Sequence, residues 1–494
     1  MKKSIAIFSA ILLSVTMVQA QTMRINLGDV TYAIDAAQAG EMTYNNGTTL
    51  TVGSKNYAID DITSITVNNG STVSDNTVTV VYNGTSAHVE IAGNLAPYIS
   101  AKVNGAHVAV SAAESLTEVV TYTLSGSSNN GSFYMEGYND LALTLNGLTL
   151  HNPDSAAINI QDGKMIAVQL ADGTSNSLSD GLTTVADDDS DGHKAPLYLD
   201  GHSSWTGSGS LILTGNVKHA YSSDEYTLFN AGLGTITVNS AVGDGFHINQ
   251  YFKMLGGTVN ITTQGDGIDV SKKKTDKTDN GTLTIAGGTL TITTTGNATK
   301  GLKSESDMVV AGGIITVTTS GSAEYDASEA DLSSNAAAKC DGTFTMNDGT
   351  MTLTSTGAGG KGINSTGAIT INGGSLTVVT TGAVLEYGEL DTKPHAIKSD
   401  GIITLAGGNI LSCASADNGN AFKTDFAVLT NGATLMGIGG KATTGAATST
   451  HSSKKYKDIN VVGGATLSYD GVSFTIPAIY NNSSAKVIVS SASM

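Results

Sequence analysis

Apolar and polar residues alternate along much of the chain, in short stretches separated by glycine pairs. In residues 281–293 (GTLTIAGGTLTIT), Leu283 and Ile285 take alternate positions with threonine between them. A period of two predicts a β-strand with one buried face, and the pair Gly287 and Gly288 provides the backbone freedom that a sharp corner needs. The same pattern recurs in residues 307–318, 342–354 and 367–379.

The pattern repeats at an interval of about 25 residues. Ala220 and Gly245 occupy equivalent positions 25 residues apart, and Gly245 and Gly267 lie 22 apart. Self-similar units of roughly 20–50 residues indicate a solenoid, a propeller or an array. Each unit holds two or three short strands and no helical pattern, which predicts an all-β, right-handed parallel β-helix with coils stacked at ~4.8 Å. The alternative is a β-propeller, whose blades need ~40–50 residues each.

The first 20 residues differ from the rest of the chain. Two lysines precede an apolar run that ends near small residues, which is typical of a secretory signal peptide. No later apolar run reaches the ~18 residues of a membrane span. We therefore expect export to the periplasm, the cell surface or the medium. After this signal peptide (1–20) we expect a small N-terminal β element (21–70), a β module (71–125), the parallel β-helix (126–445) and a C-terminal β cap (446–494).

The charge balance limits the possible partners. The formal net charge is −18, and Arg24 is the only arginine. Nucleic acid binding therefore has almost no electrostatic basis. An acidic exported protein instead favours divalent cations and ligands that are neutral or bridged by cations.

Two cysteines are present, Cys340 and Cys413. The repeat places them about two coils apart, roughly 10 Å along the stack, which exceeds the reach of a disulfide. We expect two free thiols.

One acidic loop matches the start of a calcium-binding loop. Asp187, Asp189 and Asp191 precede Gly192 in the required spacing. A complete EF-hand needs glutamate at the twelfth position, where Tyr198 stands, so an EF-hand is excluded. Calcium in an oxygen-rich loop of another shape and a solvated acidic turn both remain open.

A second acidic group lies on neighbouring coils. Asp244 and Asp266 are equivalent in the repeat and should stack, with Asp269 on the outward face of the following strand. Carboxylates ~5 Å apart repel one another unless a cation or a shared proton intervenes. These residues are calcium candidates, although aspartate followed by glycine is also common at turns.

Lysines recur at one register position. Lys303, Lys339, Lys398 and Lys423 are equivalent, and each is followed two residues later by an acidic residue on the same outward face. This column is either a ladder of weak surface salt bridges or a polar strip that follows a long sugar chain.

Two insertions leave the repeat after the second strand of a coil. One contains Glu324 and Tyr325, and the other contains Glu386 and Tyr387. They should project from the same edge about 10 Å apart. Tyrosine rings suit the apolar face of a pyranose, and carboxylates accept its hydroxyls, so these loops are candidate sugar contacts.

Several short segments resemble a known family. Residues 122–126 (YTLSG), 145–150 (LNGLTL), 218–224 (KHAYSSD), 243–247 (GDGFH) and 265–269 (GDGID) are similar, in order, to exported carbohydrate-binding β-helix proteins of polysaccharide-degrading anaerobic bacteria. The similarity spans about residues 72–443. It implies a shape like that of polysaccharide lyases, binding of cellulose-like and acidic pectin-like polymers, and structural calcium on aspartate-rich coils, with Asp244, Asp266 and Asp269 as candidates.

Four functions remain open. We favour non-catalytic binding of a plant-type or acidic polysaccharide along the outer face of a calcium-stabilised β-helix. A calcium-dependent polysaccharide lyase would need carboxylates on calcium and a nearby lysine or arginine as the base, a role open to Lys303 or Lys339. A glycoside hydrolase would need a carboxyl pair such as Asp266 and Asp269. A structural or adhesive surface protein would bind no saccharide.

Overall fold

The chain is all-β. The structure, a computed structural model, describes residues 21–35, 39–40, 42–69, 72–181, 195–274, 277–444 and 453–494. In these ranges 41 strands join one large, mostly parallel sheet, and the only helices are the 3₁₀ turns Ile59–Asp61 and Gly93–Leu95.

Three parallel ladders run through this sheet, and each coil contributes one strand to each ladder. One coil consists of Lys300–Ser304, Met308–Val310 and Ile314–Thr319. Each of these strands pairs in parallel with its counterpart in the next coil, and the last of them pairs with Thr350–Ser355. This solenoid-like pairing agrees with the all-β, parallel part of the sequence prediction.

The strands of each ladder follow in chain order, and the longest strands serve two ladders. The first ladder contains Ala106–Ala112, Gly131–Glu136, the start of Ile158–Leu170, the start of Leu197–Thr206, Tyr221–Ser223, Phe246–Asn249, Ile268–Ser271, Lys300–Ser304, Ala336–Cys340, Lys361–Ser365, Ile397–Ser399, Asn420–Lys423 and Lys441–Thr444. The second contains Thr77–Asn83, the starts of Val120–Ser128 and Leu141–Asn152, the ends of Ile158–Leu170 and Leu197–Thr206, Thr227–Phe229, Tyr251–Met254, Thr282–Ile285, Met308–Val310, Phe344–Met346, Ile369–Ile371, Ile403–Leu405 and Val428–Thr430. The third contains the ends of Val120–Ser128 and Leu141–Asn152, Ser175–Asp180, Ser210–Gly215, Thr235–Ala241, Thr258–Thr263, Thr289–Thr294, Ile314–Thr319, Thr350–Ser355, Ser375–Thr380, Asn409–Cys413 and Thr434–Gly439.

The alternation read from the sequence gives the inward and outward faces. Leu283 and Ile285 are buried, whereas the threonines beside them are partly exposed. The second glycine of each corner pair has a positive φ, +84° at Gly288 and +78° at Gly374, which other residues rarely adopt. Corners of this kind let a strand of one ladder lead directly into the next ladder.

Aromatic residues fill the interior of the middle coils. Trp205 packs edge to face on Tyr221 and Phe229, with ring centroids 5.5 and 5.4 Å apart, and Phe229 packs in the same way on Phe252 at 5.2 Å. All four side chains are buried. Edge-to-face packing adds roughly 0.5–1.5 kcal/mol per pair beyond burial, so these coils form a rigid base for the surface above them.

The N-terminal segment joins the large sheet. Its strand Val30–Asp35 pairs in parallel with Ser86–Ala92 of the large sheet, whereas Met42–Asn45, Thr49–Val52 and Lys55–Ala58 form a separate three-stranded antiparallel sheet. Parallel pairing also begins upstream of residue 126, and the proposed domain boundaries stay predictions. The remaining strands of this region are Gln21–Leu27, Met42–Asn45, Thr49–Val52, Lys55–Ala58, Ser64–Asn69 and Ile99–Asn104.

The C-terminal segment covers the outer face of the last coils. Asn482–Ser490 pairs antiparallel with Thr434–Gly439 of the third ladder. Leu411 and Met436, at outward positions where earlier coils carry threonine, are buried in a second hydrophobic cluster with this segment. The other strands of this segment are Ser453–Val461, Thr466–Tyr469 and Val472–Thr475.

The two cysteines are free, as predicted, and both are buried. Cys340 belongs to the first ladder and Cys413 to the third. The two thiols are therefore separated across the coil as well as along the stack.

Within the described ranges, no helix has the length and apolar character needed to cross a membrane. Residues 1–20, predicted to be a signal peptide, lie outside those ranges, and so do Asp187, Asp189 and Asp191.

Candidate functional site

One register position of the first ladder carries a column of mainly polar residues. The predicted lysines lie in this column, with Asn364 between Lys339 and Lys398. Because adjacent strands are ~4.8 Å apart, the column extends over tens of ångströms. Its members, in order, are Tyr134, Asn159, Tyr198, Ser222, His247, Asp269, Lys303, Lys339, Asn364, Lys398 and Lys423.

Three of the lysines form the surface salt bridges expected from the sequence. Lys398 Nζ lies 2.7 Å from Oδ1 of Asp400, two residues later. Lys339 and Lys423 pair in the same way with the aspartates that follow them, and all three lysine side chains are about a quarter exposed. Exposed pairs of this kind are worth only ~0–1 kcal/mol each, so the lysines remain available to a ligand at little energetic cost.

Lys303 behaves differently. Its Nζ lies 3.0 Å from Asp269 Oδ2 and 3.6 Å from Asp266 Oδ2. The acidic residue two positions later, Glu305, instead accepts a hydrogen bond from the backbone N–H of Lys272 at 2.7 Å. Lys303 thus belongs to the aspartate group on the adjacent coils.

The predicted aspartate stack is present and is bridged by cationic side chains. Asp244 Oδ1 accepts the backbone N–H of Asp266 at 2.8 Å, and Asp266 Oδ1 accepts the backbone N–H of Lys300 at 2.7 Å. Each of these two carboxylates therefore binds the backbone of the next coil, as a turn-capping aspartate would. The side chain of His247 lies between Asp244 and Asp269, with Nδ1 3.2 and 3.6 Å from their Oδ2 atoms.

The electrostatics follow from this arrangement. Burial alone would lower the pKa of His247, but hydrogen bonds to Asp244 and Asp269 raise that pKa to about 9. Burial would likewise lower the pKa of Lys303, yet the charges of Asp269 and Asp266 raise it above its ordinary value. Burial and the neighbouring charge of Asp244 raise the pKa of Asp266 to about 6. The cluster is a row of alternating charges in which His247 and Lys303 are protonated at neutral pH.

His219, Asp244 and His247 offer three possible metal ligand atoms within 4.8 Å of one another. However, the two imidazole rings are stacked, with centroids 4.5 Å apart and planes 16° from parallel. An imidazole nitrogen binds a metal through a lone pair that lies in the plane of its ring. Because the two ring planes are nearly parallel and do not coincide, one ion cannot lie in both of them. This geometry does not suit a transition metal.

Calcium prefers oxygen ligands, and the fit of Asp244, Asp266 and Asp269 to it is partial. Asp269 Oδ1 is buried without a hydrogen-bond partner in the described part of the chain. The other oxygens already face His247, Lys303 or backbone N–H groups. A bound calcium ion would have to compete with these two cations.

The two insertions form β-hairpins that meet. Glu324–Asp326 pairs with Asp331–Ser333, and Leu385–Tyr387 pairs with Leu390–Thr392. The hairpins are two coils apart in sequence, yet the rings of Tyr325 and Tyr387 stack with centroids 4.5 Å apart and planes 18° from parallel. Tyr387 is 55% exposed and Tyr325 36%, and the side chains of Glu324 and Glu386 are exposed beside them.

Two lysines of the first ladder fix the bases of these hairpins. Lys361 Nζ donates to Ser334 Oγ and to Thr392 Oγ1, the latter at 2.7 Å, and Lys300 Nζ donates to Ser333 Oγ at 3.1 Å. Lys361 is only 6% exposed, and its burial lowers the pKa to about 7. The hairpin bases therefore lie at the start of the first-ladder strands, three residues before the register position of the lysine column.

The sequence prediction did not include His219, His247, Lys300 and Lys361. His219, Lys300 and Lys361 each lie three residues before a member of the column, as Asp244 and Asp266 do. Alignment of that second register position would have found them. Their burial could not be predicted because it depends on the hairpins and on the neighbouring coils.

The sequence profile of the carbohydrate-binding domain-containing protein family matches residues 104–384. No protein with a curated description matches. A solved structure, the polysaccharide lyase-like protein from C. thermocellum in its gadolinium derivative, is similar with 22% identity and a TM-score of 0.40, over 60% of this chain and 96% of that one. The matched profile covers more than half of the sequence; it includes the first hairpin, at residues 324–333, and ends before the second, at residues 385–392. The chain belongs to the family of carbohydrate-binding domain-containing proteins.

Proposed function

We propose that the protein binds polysaccharide without cleaving it, on the outer face of the first ladder between the paired hairpins and the lysine column. The single observation that carries this proposal is the meeting of two hairpins from separate coils, with Tyr325 stacked on Tyr387. Each hairpin directly precedes the strand that carries a lysine of the column, Lys339 or Lys398. Two insertions that converge in this way are typical of a binding site carried on loops over a rigid scaffold.

The chemistry of this face suits a sugar chain. Tyr387 is the more exposed of the stacked rings and offers its outer face to the apolar side of a pyranose. Glu324 and Glu386 can accept sugar hydroxyls, and Lys303, Lys339, Lys398 and Lys423 can donate to them or to uronate carboxylates. Because three of these lysines are already paired with aspartate, we expect plant-type neutral chains to bind as well as acidic ones.

The proposal includes a right-handed, closed β-helix, export by the signal peptide, and stabilisation by calcium. The calcium candidates are Asp244, Asp266 and Asp269, and outside the described residues Asp187, Asp189 and Asp191. His247 and Lys303 compete with calcium for Asp244, Asp266 and Asp269, so we expect calcium to bind weakly to these three residues. A bound calcium ion would add positive charge to them and compensate their mutual repulsion.

A calcium-dependent lyase is the second candidate, because Lys303 contacts Asp266 and Asp269, as a base near a calcium site would. Without calcium, these carboxylates raise the pKa of Lys303 and keep it protonated. A role as the base would therefore need calcium on Asp266 and Asp269 to offset their charge. A purely structural or adhesive surface protein would lack saccharide affinity altogether.

The test is retention of the mature protein on insoluble cellulose and on calcium pectate. Tyr387→Ala should lower retention about tenfold and Tyr325→Ala by less, since it is the less exposed ring. Tyr44→Ala, a tyrosine of similar exposure (53%) far along the chain, is the control and should bind like the parent. Equal retention of all variants would remove the hairpins from the site.

The same samples decide between binding and cleavage. Polygalacturonate is incubated with the protein and calcium, and unsaturated products are followed by ultraviolet absorbance. We expect no product. Turnover by the parent that is lost in Lys303→Met would show that the protein is a lyase and would overturn the proposal of binding without cleavage.

A further inference from the structure

The strand Ser64–Asn69 lies at a free edge of the large sheet. On one side it pairs antiparallel with Gln21–Leu27, and no strand of the described ranges pairs with its other side. All six of its residues are exposed. An edge strand presents a row of unpaired backbone N–H and C=O groups, so this edge can accept a further strand.

One face of this strand is apolar and continues the hydrophobic core. Ile65 stands opposite Ile25, and Val67 stands opposite Met23. Directly opposite residues of an antiparallel pair point to the same side of the sheet. Both partners are buried in the main hydrophobic cluster, yet Ile65 is 38% exposed and Val67 57%. The apolar face therefore extends one strand beyond the part of the sheet that the chain itself covers.

This edge lacks the features that normally prevent pairing between chains. The edge strand Ser453–Val461, near the end of the chain, has three lysines and two irregularities in its pairing with the strand beside it. Lysines and bulges of this kind protect an edge. Ser64–Asn69 has no charged residue, no proline and an unbroken register. Its free side is thus open to another strand.

The charge of the chain narrows the choice of partner. The formal net charge is −18, so two copies repel one another over most of their surfaces. Residues 62–74, which include the edge strand, contain no charged side chain. Two copies that meet along this strand avoid opposing like charges, and each supplies the strand that the other lacks. Such a contact is symmetric and closed, so it ends at a dimer.

We propose that Ser64–Asn69 pairs antiparallel with the same strand of a second copy and so forms a two-fold symmetric dimer. The two-fold axis passes between the two Thr66 residues, which places Ile65 of each copy opposite Val67 of the other. This register joins the apolar faces of the two copies into one continuous face. The dimer goes beyond the proposed function, because saccharide binding by the hairpins does not require it.

The test is the oligomeric state of the mature protein in analytical ultracentrifugation. A contact of one strand per copy is small, so we expect a reversible dimer with a dissociation constant of about 10–100 µM. Val67→Lys should weaken the dimer at least about tenfold, because it puts two charges beside the axis. Val242→Lys, at a valine of similar exposure (51%) in the middle coils, is the control and should dimerise like the parent. At about 1 µM, where the parent is mostly monomeric, all three proteins should have the same melting temperature.

Cross-linking tests the register without relying on the lysine variant. Thr66→Cys places two thiols directly opposite one another. The Cα atoms of such residues are ~4.5–5.5 Å apart, which a disulfide can bridge. Mild oxidation should therefore give a covalent dimer, whereas Ser473→Cys, at an exposed position far along the chain, should stay monomeric. Cys340 and Cys413 are buried and should not interfere.

The outcomes decide the proposal independently of saccharide binding. A parent that is monomeric at about 300 µM would overturn it, and so would a dimer that is unchanged in Val67→Lys. A dimer in which Thr66→Cys forms no disulfide would show that the copies meet in another way and would also overturn it. Retention on polysaccharide is measured separately, so failure of the dimer leaves the proposed function standing.

Discussion

Lys361 provides the sharpest quantitative test of how the hairpins are attached. Its Nζ is buried and donates to Ser334 and Thr392 at the hairpin bases, and burial lowers its pKa from 10.5 to about 7. The unfolded chain therefore binds more protons than the folded chain between pH 7 and about 10. By linkage, the contribution of Lys361 to the free energy of unfolding must rise with pH across that window and be least favourable below pH 7.

The magnitude follows from the shift. A difference of 3.5 pKa units between 10.5 and about 7 corresponds to at most ~5 kcal/mol. Between pH 7 and pH 9 the expected rise is about 2 kcal/mol, because the folded lysine is half protonated at the start of this range. Lys361→Met has similar length and no charge, so it should lose this rise.

The assay is urea unfolding of the parent and of Lys361→Met at pH 7, 8 and 9. All other titrating groups are common to both proteins, so the difference in the free energy of unfolding isolates Lys361. Lys398→Met, which removes an exposed lysine of the same ladder, is the control. If the free energies of unfolding of the parent and of Lys361→Met differ by the same amount from pH 7 to pH 9, Lys361 does not have a lowered pKa. Its burial at the bases of the hairpins would then be refuted.

Three further predictions address the coil stack and its charges. Lys303→Met should lower the free energy of unfolding by about 2–3 kcal/mol, because the two buried carboxylates that Lys303 contacts lose a partner. The control Lys398→Met should lower it by under ~1 kcal/mol. Equal losses of melting temperature in the two variants would contradict this difference. Gly362→Ala should lower the melting temperature strongly, because a Cβ would lie 2.4 Å from the carbonyl oxygen of Ala396. The control Ala396→Gly should lower the free energy of unfolding by about 1 kcal/mol. An unchanged melting temperature in Gly362→Ala would argue against coils in such close contact. Millimolar calcium should raise the melting temperature of the parent but raise that of Asp266→Asn less, and an unchanged parent would remove calcium from the proposal.

The sequence predicted the repeated part of the fold well. Alternation of apolar residues and threonine identified the strands, and pairs such as Gly373 and Gly374 identified the corners, because both signals depend only on local backbone geometry. The register of Lys303, Lys339 and Lys398 was also predictable, since equal spacing in a stacked repeat places equivalent residues in one column.

The contacts between non-equivalent positions were not predictable. That Tyr325 stacks on Tyr387 depends on how two irregular hairpins lean, and no repeat pattern encodes it. The charge partners of Lys303 come from the preceding coil rather than from Glu305, because the aspartates there are closer to its terminus.

The most direct measurement for the central claim is hydrogen exchange of the mature protein with and without a polysaccharide fragment. Binding on the outer face of the first ladder predicts slower exchange in peptides that contain Glu324–Asp326, Leu385–Tyr387 and the lysine column from Lys300–Ser304 to Asn420–Lys423. Protection confined to other parts of the chain, or no protection at saturating fragment, would contradict saccharide binding at this face.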